Sequence, residues 1–457
     1  MSFFVIGAIV TAGIFCLLGP ISGKVKSVGE YATAGRKARA GSVTGVVMGA
    51  LVSGGSTVGT VQMAYQTGIS GWWFTLGSGL SCAILALWFA RPVRASGLST
   101  LPEFIERSCG RPTALLTLAG SAAGTLLSVA AQFMAGLALL CSAFPISQEA
   151  GIFILALVIL FFIFTGGLKS FSLIGSAKVV ILYLIFVLCA GKTFLLGQTP
   201  QVLIRDLPFS PWLNLLGRGV GRDLGACVSL IVGVLCTQIY LQAVFSASDE
   251  KTARRGCLVA AFLIPPLGLM GVWIGLGLRN AGVVVEPAQA LPWFLSAHFH
   301  PVLAGVMWAG LLITAIGGAA GLILGLATNL SLDLLLRIPG VPKDEKNALR
   351  LSRWAVFLSV LAAALLALVF RQGLILHLSY LALSLRATGM IIPLVVSIFR
   401  PGLLSPRRAF VSSLCGLGGM LIAWIFFPNT EPLFIGLLAA VAGLLICRPR
   451  PDSSGSR

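Results

Sequence analysis

The chain has 457 residues, of which 57% are apolar and only 10% charged, with a mean hydropathy of +0.98. That balance excludes a soluble globular protein and defines an all-α polytopic membrane protein. The net charge of +18 raises nucleic acid as a partner, but the basic residues fall in short gaps between apolar spans, so no nucleic acid is expected.

Thirteen apolar segments have lengths near the ~20 residues a bilayer core requires. They cover 2–22, 43–66, 71–91, 113–143, 150–167, 174–196, 224–246, 257–280, 301–336, 352–370, 373–399, 408–427 and 432–447. Met1 to Ile21 lacks a basic leader and a small-residue cleavage site, and reads as a retained first helix. The second segment carries Ser53-Gly54-Gly55-Ser56-Thr57 at its centre. Paired glycines flanked by hydroxyls favour unwinding there. Backbone groups freed in hydrocarbon need partners, so a break at mid-membrane points to a solute site.

Trp72 and Trp73 open the next segment and read as an interfacial belt. Ser99 to Arg107 sets hydroxyls before an early proline, the start signal of a short cytoplasmic helix. Gln132 is polar within an apolar run and reaches either a solute or a neighbouring helix. Residues 281–300, with His298 and His300, read as a solvated outer loop, since a metal would need a third ligand. His377 and Tyr380 lie near the outer end of the 373–399 segment.

Arg386 sits mid-span between Ser384 and Thr388, with no acidic residue in the membrane part of any span to pair with, since the long 301–336 segment continues into the cytoplasm past Asp333. An intramembrane charge costs at least ~2.5–3.5 kcal/mol and usually faces a cavity. A guanidinium suits a carboxylate, which suggests an anionic solute. The other reading is a staple to backbone carbonyls. The ten Cys are scattered without CxxC pairs and read as small apolar fillers, so no cofactor is expected.

Charge sets the orientation. Alternate gaps hold most of the Lys and Arg: 24–39, 91–111, 251–255, 337–353, 400–408 and the tail. These are assigned to the cytoplasm, which puts the N-terminus outside and the C-terminus inside a plasma (inner) membrane.

Several motifs together resemble the sodium:solute symporter family. Tyr31 to Lys37 resembles its "dYflaGR" signature, Gly59 to Gly68 its "aY..G" stretch, and Gly166 to Ser170 its "GGlka" turn. Thr237 to Gln242, followed by Ala253-Arg254-Arg255, resembles "dQ...Q…A.r". Leu326 to Leu334 matches the close of the eighth core helix.

The resemblance implies the leucine-transporter fold, two inverted five-helix repeats with the first helix of each broken. It divides the chain into 1–42 (first helix and loop), 43–196 (first repeat), 197–223 (outer loop), 224–400 (second repeat), 401–447 (two further helices) and 448–457 (tail). Gly54-Gly55 supplies the first break, and residues 233–242, with Gly233, Thr237 and Gln238, the second. The expected solute site comprises Ser53, Gly54, Gly55, Ser56, Gln132, Thr237, Gln238 and Arg386.

The expected ion site, or its replacement, comprises Gly49, Val52, Thr314, Gly317, Gly318, Gly175 and Lys178. Here the chain departs from the family. The two hydroxyl ligands of sodium fall at Gly317 and Gly318, an acidic residue at Gly175, a Gln at Lys178 and an Arg at Ala243. Sodium, like other hard cations, prefers oxygen ligands. Either the Lys178 ammonium stands in for the ion, or it titrates and couples transport to protons, or Lys178 snorkels to the cytoplasmic interface.

The expected function is secondary transport of a small polar solute, carrying a carboxylate, by alternating access. Coupling is to Na+ or H+, or is absent. A carrier-derived sensor is the alternative. An enzyme would need clustered ionisable residues at one depth, and none is apparent. The expected partners are a small-molecule solute and the lipid bilayer; the sequence is silent on oligomeric state.

Overall fold

A computed structural model describes residues 34–446, except 165–167, 343, 372 and 428–429, together with residues 5, 7 and 13. The expected first span (apart from those three residues), the start of the Tyr31 motif, Gly166-Gly167 and the tail lie outside the described residues. The helices, in chain order, are α1 Ala40–Leu51, α2 Thr60–Thr67, α3 Trp73–Ile84, α4 Leu101–Cys109, α5 Arg111–Ala143, α6 Gln148–Phe164, α7 Leu168–Leu195 and α8 Pro200–Asp206. They continue as α9 Val220–Leu235, α10 Gln238–Ser246, α11 Glu250–Asn280, α12 Ala290–His298, α13 Pro301–Asn329, α14 Glu345–Phe370, α15 Ile375–Phe399, α16 Pro406–Phe426 and α17 Pro432–Ile446.

Eight helical stretches among the described residues are long and apolar enough to cross a membrane, nine if α9 and α10, bent by 45° at their junction, count as one. Three shorter apolar helices, α1, α6 and α17, fall below that length. The expected thirteen is therefore not established by length and composition alone.

The packing has the symmetry of a repeat. The second helices of the two halves, α3 and α11, pack on each other, as do the third helices, α5 and α13. Exchanging the halves also exchanges α3 on α9 with α11 on α2, and α1 on α7 with α9 on α15.

Local chemistry fixes the boundaries. Thr100 caps α4 by accepting the Glu103 N–H at 3.3 Å, with Pro102 in the first turn. Asp249 caps α11 through the Thr252 N–H at 2.9 Å. That bond, with those from the Thr252 and Ser248 hydroxyls, holds the Asp249 carboxyl down to about 2.

One expectation needs correction, and a second gains detail. Residues 281–300 are not simply a solvated loop. They include α12, which buries Leu291, Phe294 and Leu295 and packs the His298 ring 4.9 Å from that of Phe294. Trp72 and Trp73 are tied to protein carbonyls: their indole N–H groups donate to Pro265 O (2.9 Å) and Leu215 O (2.7 Å).

Candidate functional site at the two helix breaks

The first break is centred on Val52 to Gly54, slightly before the expected Gly54-Gly55, because α1 ends at Leu51 and Val52 is extended. Side chains satisfy the freed backbone. Ser56 Oγ accepts the Ser53 N–H at 2.8 Å and donates to Ser53 O at 2.9 Å. Thr57 Oγ1 also donates to Ser53 O. Gln132 Oε1, from α5, accepts the Gly54 N–H at 2.8 Å.

Gly54 itself has helical dihedrals, so conformational freedom is not what requires a glycine there. Space is. A Cβ on Gly54 would lie 2.4 Å from Ala135 Cβ, and one on Gly55 would lie 3.0 Å from the Phe74 ring.

The second break falls at Cys236 and Thr237. Thr237 Oγ1 donates to Gly233 O at 2.6 Å and accepts from Arg386 Nη1 at 2.7 Å. Arg386, on α15, is 2% exposed. Its Nη2 donates to Ser128 Oγ on α5, and its Nε to Ala382 O at 3.2 Å. Gly124 admits the side chain, since a Cβ there would sit 2.7 Å from Arg386 Cγ. A guanidinium has five N–H donors. Three are used here, by two hydroxyls and one carbonyl, and no carboxylate joins them. The staple reading is thus met in part, by one carbonyl.

Ser53, Gln132 and Arg386 line a small cavity between the breaks, with Phe74, Ser128, Tyr240, Ser379 and Leu383. Its volume of about 20 Å³ suits roughly one water. The space between the breaks is therefore nearly filled. Among the expected solute residues, Thr237 reaches the cavity only through Arg386, and Gly54, Gly55 and Ser56 do not line it but contact the lining residues Gln132, Phe74 and Ser53. Gln238 does not join them. Its amide accepts the Leu101 N–H at 2.8 Å and donates to Ser99 O at 3.1 Å, fastening α4 to the basic end of the bundle. Asp333 fastens the same loop by accepting from Thr100 Oγ1 at 3.1 Å. Ser128 went unnoticed in the sequence, although it lies one helical turn before Gln132 and so shares its face.

The second cluster lies where α1, α7 and α13 meet. Gly175 lets α7 close on α1: a Cβ there would sit 2.1 Å from Gly45 O and 3.1 Å from Gly49 Cα. Such small-residue contacts draw membrane helices together. An acid at 175 would separate them. One turn on, Lys178 is 1% exposed, which overturns the interfacial reading. Its Nζ donates to Gly49 O, and to Thr314 O at 3.5 Å.

Gly49 lies in the last turn of α1, where carbonyls have no helical partner and the helix dipole favours a cation. Met48 O still accepts the Val52 N–H, but the break turns the Ser53 N–H to Ser56 Oγ and leaves Gly49 O without its helical donor. A Cβ on Gly317 would be 3.4 Å from Lys178 Nζ, so that glycine faces the ammonium. A Cβ on Gly318 would collide with Ser53 Cβ at 2.4 Å, so a hydroxyl residue does not fit at 318 unless Ser53 moves.

An all-helical membrane protein with two helices broken about a nearly filled centre has the architecture of the broken-helix class that includes many secondary transporters. The comparisons narrow this. Residues 31–416 match the model of the sodium:solute symporter family, and the chain belongs to that family. It is 27% identical over 293 residues to the human high affinity choline transporter 1, a match covering 59% of this chain and 49% of that protein. The chain thus matches about half the length of that curated relative.

Among solved structures, a Na+-coupled sialic acid symporter in a substrate-bound outward-open state superposes with a TM-score of 0.79 at 14% identity. That match covers 97% of both chains. Mhp1, a nucleobase-cation-symport-1 family transporter in a closed conformation with bromovinylhydantoin bound, gives a TM-score of 0.53 at 14% identity, over 91% of this chain and 92% of that one. At these identities the likeness concerns the fold.

Proposed function

We propose that the protein is a secondary carrier for a small solute bearing a carboxylate, and that the Lys178 ammonium replaces the coupled sodium ion. One observation carries the reading: two fully buried cations, Lys178 and Arg386, bond only to carbonyls and hydroxyls, each beside a helix break. Burying a charge without a counterion is expensive. At Lys178 the cost is offset by the carbonyl-rich end of α1, which would otherwise suit a metal cation. At Arg386 the two remaining N–H donors and the adjoining cavity suit a carboxylate held bidentately.

The charge bias between gaps supports a cytoplasmic location for the α4 and Asp333 end, with residues 197–223 and 427–431 outside. The solute then enters from the outer side, the two breaks rearrange to make room for it, and the α4 end opens. Thr314 and Gly317 lie against the built-in cation, while Gly318 faces Ser53 and Gln132.

Uptake into proteoliposomes tests the reading, with carboxylates, amino acids and sugars each offered under a sodium gradient, a proton gradient and neither. Carboxylate uptake indifferent to sodium is expected. Sodium-driven uptake would overturn the assignment of Lys178, and uptake restricted to uncharged sugars would overturn that of Arg386.

A further inference from the structure

A second cavity, of about 460 Å³, opens at the outer end between α9, α15 and the α16–α17 turn. It is within the size range of small-molecule sites, whereas the central cavity is nearly filled. The two are neighbours. Tyr380 and Ser384 on α15 line the outer one, while Ser379, Leu383 and Arg386 on the same helix line the inner one. Phe74 of the inner cavity and Tyr380 of the outer one meet with ring centroids 6.0 Å apart, so this aromatic pair forms part of the partition.

We propose that the outer cavity is a separate binding site for a small organic anion with an apolar ring or branch, held there before it passes the Phe74–Tyr380 partition.

Three observations support this. First, Tyr380 is only 8% exposed and its hydroxyl has no hydrogen-bond partner among the described residues. A buried hydroxyl left unpaired costs free energy that a ligand oxygen would recover. Second, the charges favour an anion. Arg218 is held by Asp223, Nε to Oδ1 at 2.7 Å and backbone N–H to Oδ2 at 2.9 Å, and its guanidinium lies 5.7 Å from the Tyr380 ring centroid. Asp223 is thereby used up. Arg222 has no ion pair among the described residues and is exposed at the rim. The remaining carboxyl, Glu431, is pushed up to about 7, chiefly by burial, so near neutral pH it is partly uncharged. Third, Phe370, Trp424 and Phe427 supply an apolar wall.

The proposal adds to the carrier reading and shares its orientation, but does not depend on Arg386. Its test uses the full chain in lipid nanodiscs and three probes that share a benzene ring: benzoate, benzyl alcohol and benzylammonium. Binding is read as the tryptophan fluorescence change that is lost in Trp424→Phe. Benzoate is expected to saturate this signal at a concentration about tenfold below benzyl alcohol, with benzylammonium weakest. Arg222→Gln, at an exposed side chain, is expected to weaken benzoate by about tenfold, and Tyr380→Phe by a smaller factor. Arg386→Gln removes only what the central site binds, and the Trp424-dependent part of the benzoate signal is expected to persist in it.

Equal binding of the three probes, or tightest binding of benzylammonium, would overturn the anion assignment. Loss of the benzoate signal in Arg386→Gln but not in Arg222→Gln would assign it to the central site and overturn an outer one. If benzoate binds as expected while no carboxylate is taken up, the outer site stands and the carrier reading alone fails.

Discussion

Lys178 Nζ donates to the carbonyl oxygen of Gly49, joining α7 to the last turn of α1. An ammonium at this point is held by a broken helix end, and no acid within the described residues pairs with it. Lys178→Met removes the charge and nearly conserves the volume. It leaves Gly49 O short of a donor, a loss of about 1–3 kcal/mol, but it also removes the several kcal/mol of desolvating an ammonium. The variant should therefore melt at the same temperature as the wild type or higher, while losing about tenfold or more in uptake, ~1.4 kcal/mol of barrier. Thermal unfolding in detergent and proteoliposome flux check the two halves separately. A less stable variant with unchanged flux would make Lys178 a purely structural residue.

Arg386 should not tolerate Lys. A lysine supplies one compact ammonium, whereas Ser128, Thr237 and a bound carboxylate together need a planar fork. Losing one charge-assisted bond to the solute is worth about 2–3 kcal/mol, or roughly 30- to 150-fold in affinity. Arg386→Lys is therefore expected to lower kcat/KM for the transported carboxylate by that factor while the protein still folds. Retention of full uptake would sink the idea of bidentate recognition.

How far the sequence revealed these features depends on the kind of feature. The apolar periods gave the helices because long spans are a composition signal. The first break was visible in Ser53 to Thr57, where glycines and hydroxyls interrupt such a span. The reason for Gly54 was not visible, since nothing local says that Ala135 will lie against it. Gln238 is placed in the solute site by the family resemblance, which puts it with Thr237 in the second break. A break in a helix erases the phase relation between neighbouring side chains, and the two turned out to face different partners, Ser99 and Arg386. Lys178 was ambiguous because its depth depends on where α7 begins. Gly45, Gly49 and Gly175 held the missing clue: they mark the close helix contact that buries it.

The crowding at the first break gives a stability prediction. Gly54→Ala should destabilise the protein by about 1–3 kcal/mol, the usual cost of overpacking, because the new methyl would meet Ala135 Cβ at 2.4 Å. Ala135→Gly on its own removes a buried methyl, whereas the double variant restores the space. The double variant should melt above Gly54→Ala alone. Equal melting of the two would mean that the break relaxes around the methyl.

Gln238 offers a test of closure at the α4 end. Gln238→Ala removes two bonds that hold Ser99 and Leu101. Cys109, at the end of α4, is 1% exposed. In a background where Cys109 is the sole cysteine, its reaction with a maleimide should quicken in Gln238→Ala. An unchanged rate would mean that Asp333 and Thr100 hold the loop without Gln238.

Glu431 gives the protein a pH dependence whose sign can be worked out. Burial raises its carboxyl from an ordinary value of 4.5 to about 7, against the opposing pull of Arg218 and Arg222 and with a further push from Asp223. Between those two values the folded protein binds more protons than the unfolded chain. Stability then falls as pH rises through this window, and its slope flattens above about 7, once both states are ionised. Glu431→Gln keeps the shape and removes the titration. Its melting temperature should vary less between pH 5 and 8 than that of the wild type, with the larger gain over wild type at the alkaline end. The same substitution leaves Arg222 without its nearby carboxylate, so benzoate binding at the outer cavity should tighten above neutral pH. Parallel melting curves for the two proteins across this range would show that Glu431 stays ionised, and would remove one of the supports for an anion in that cavity.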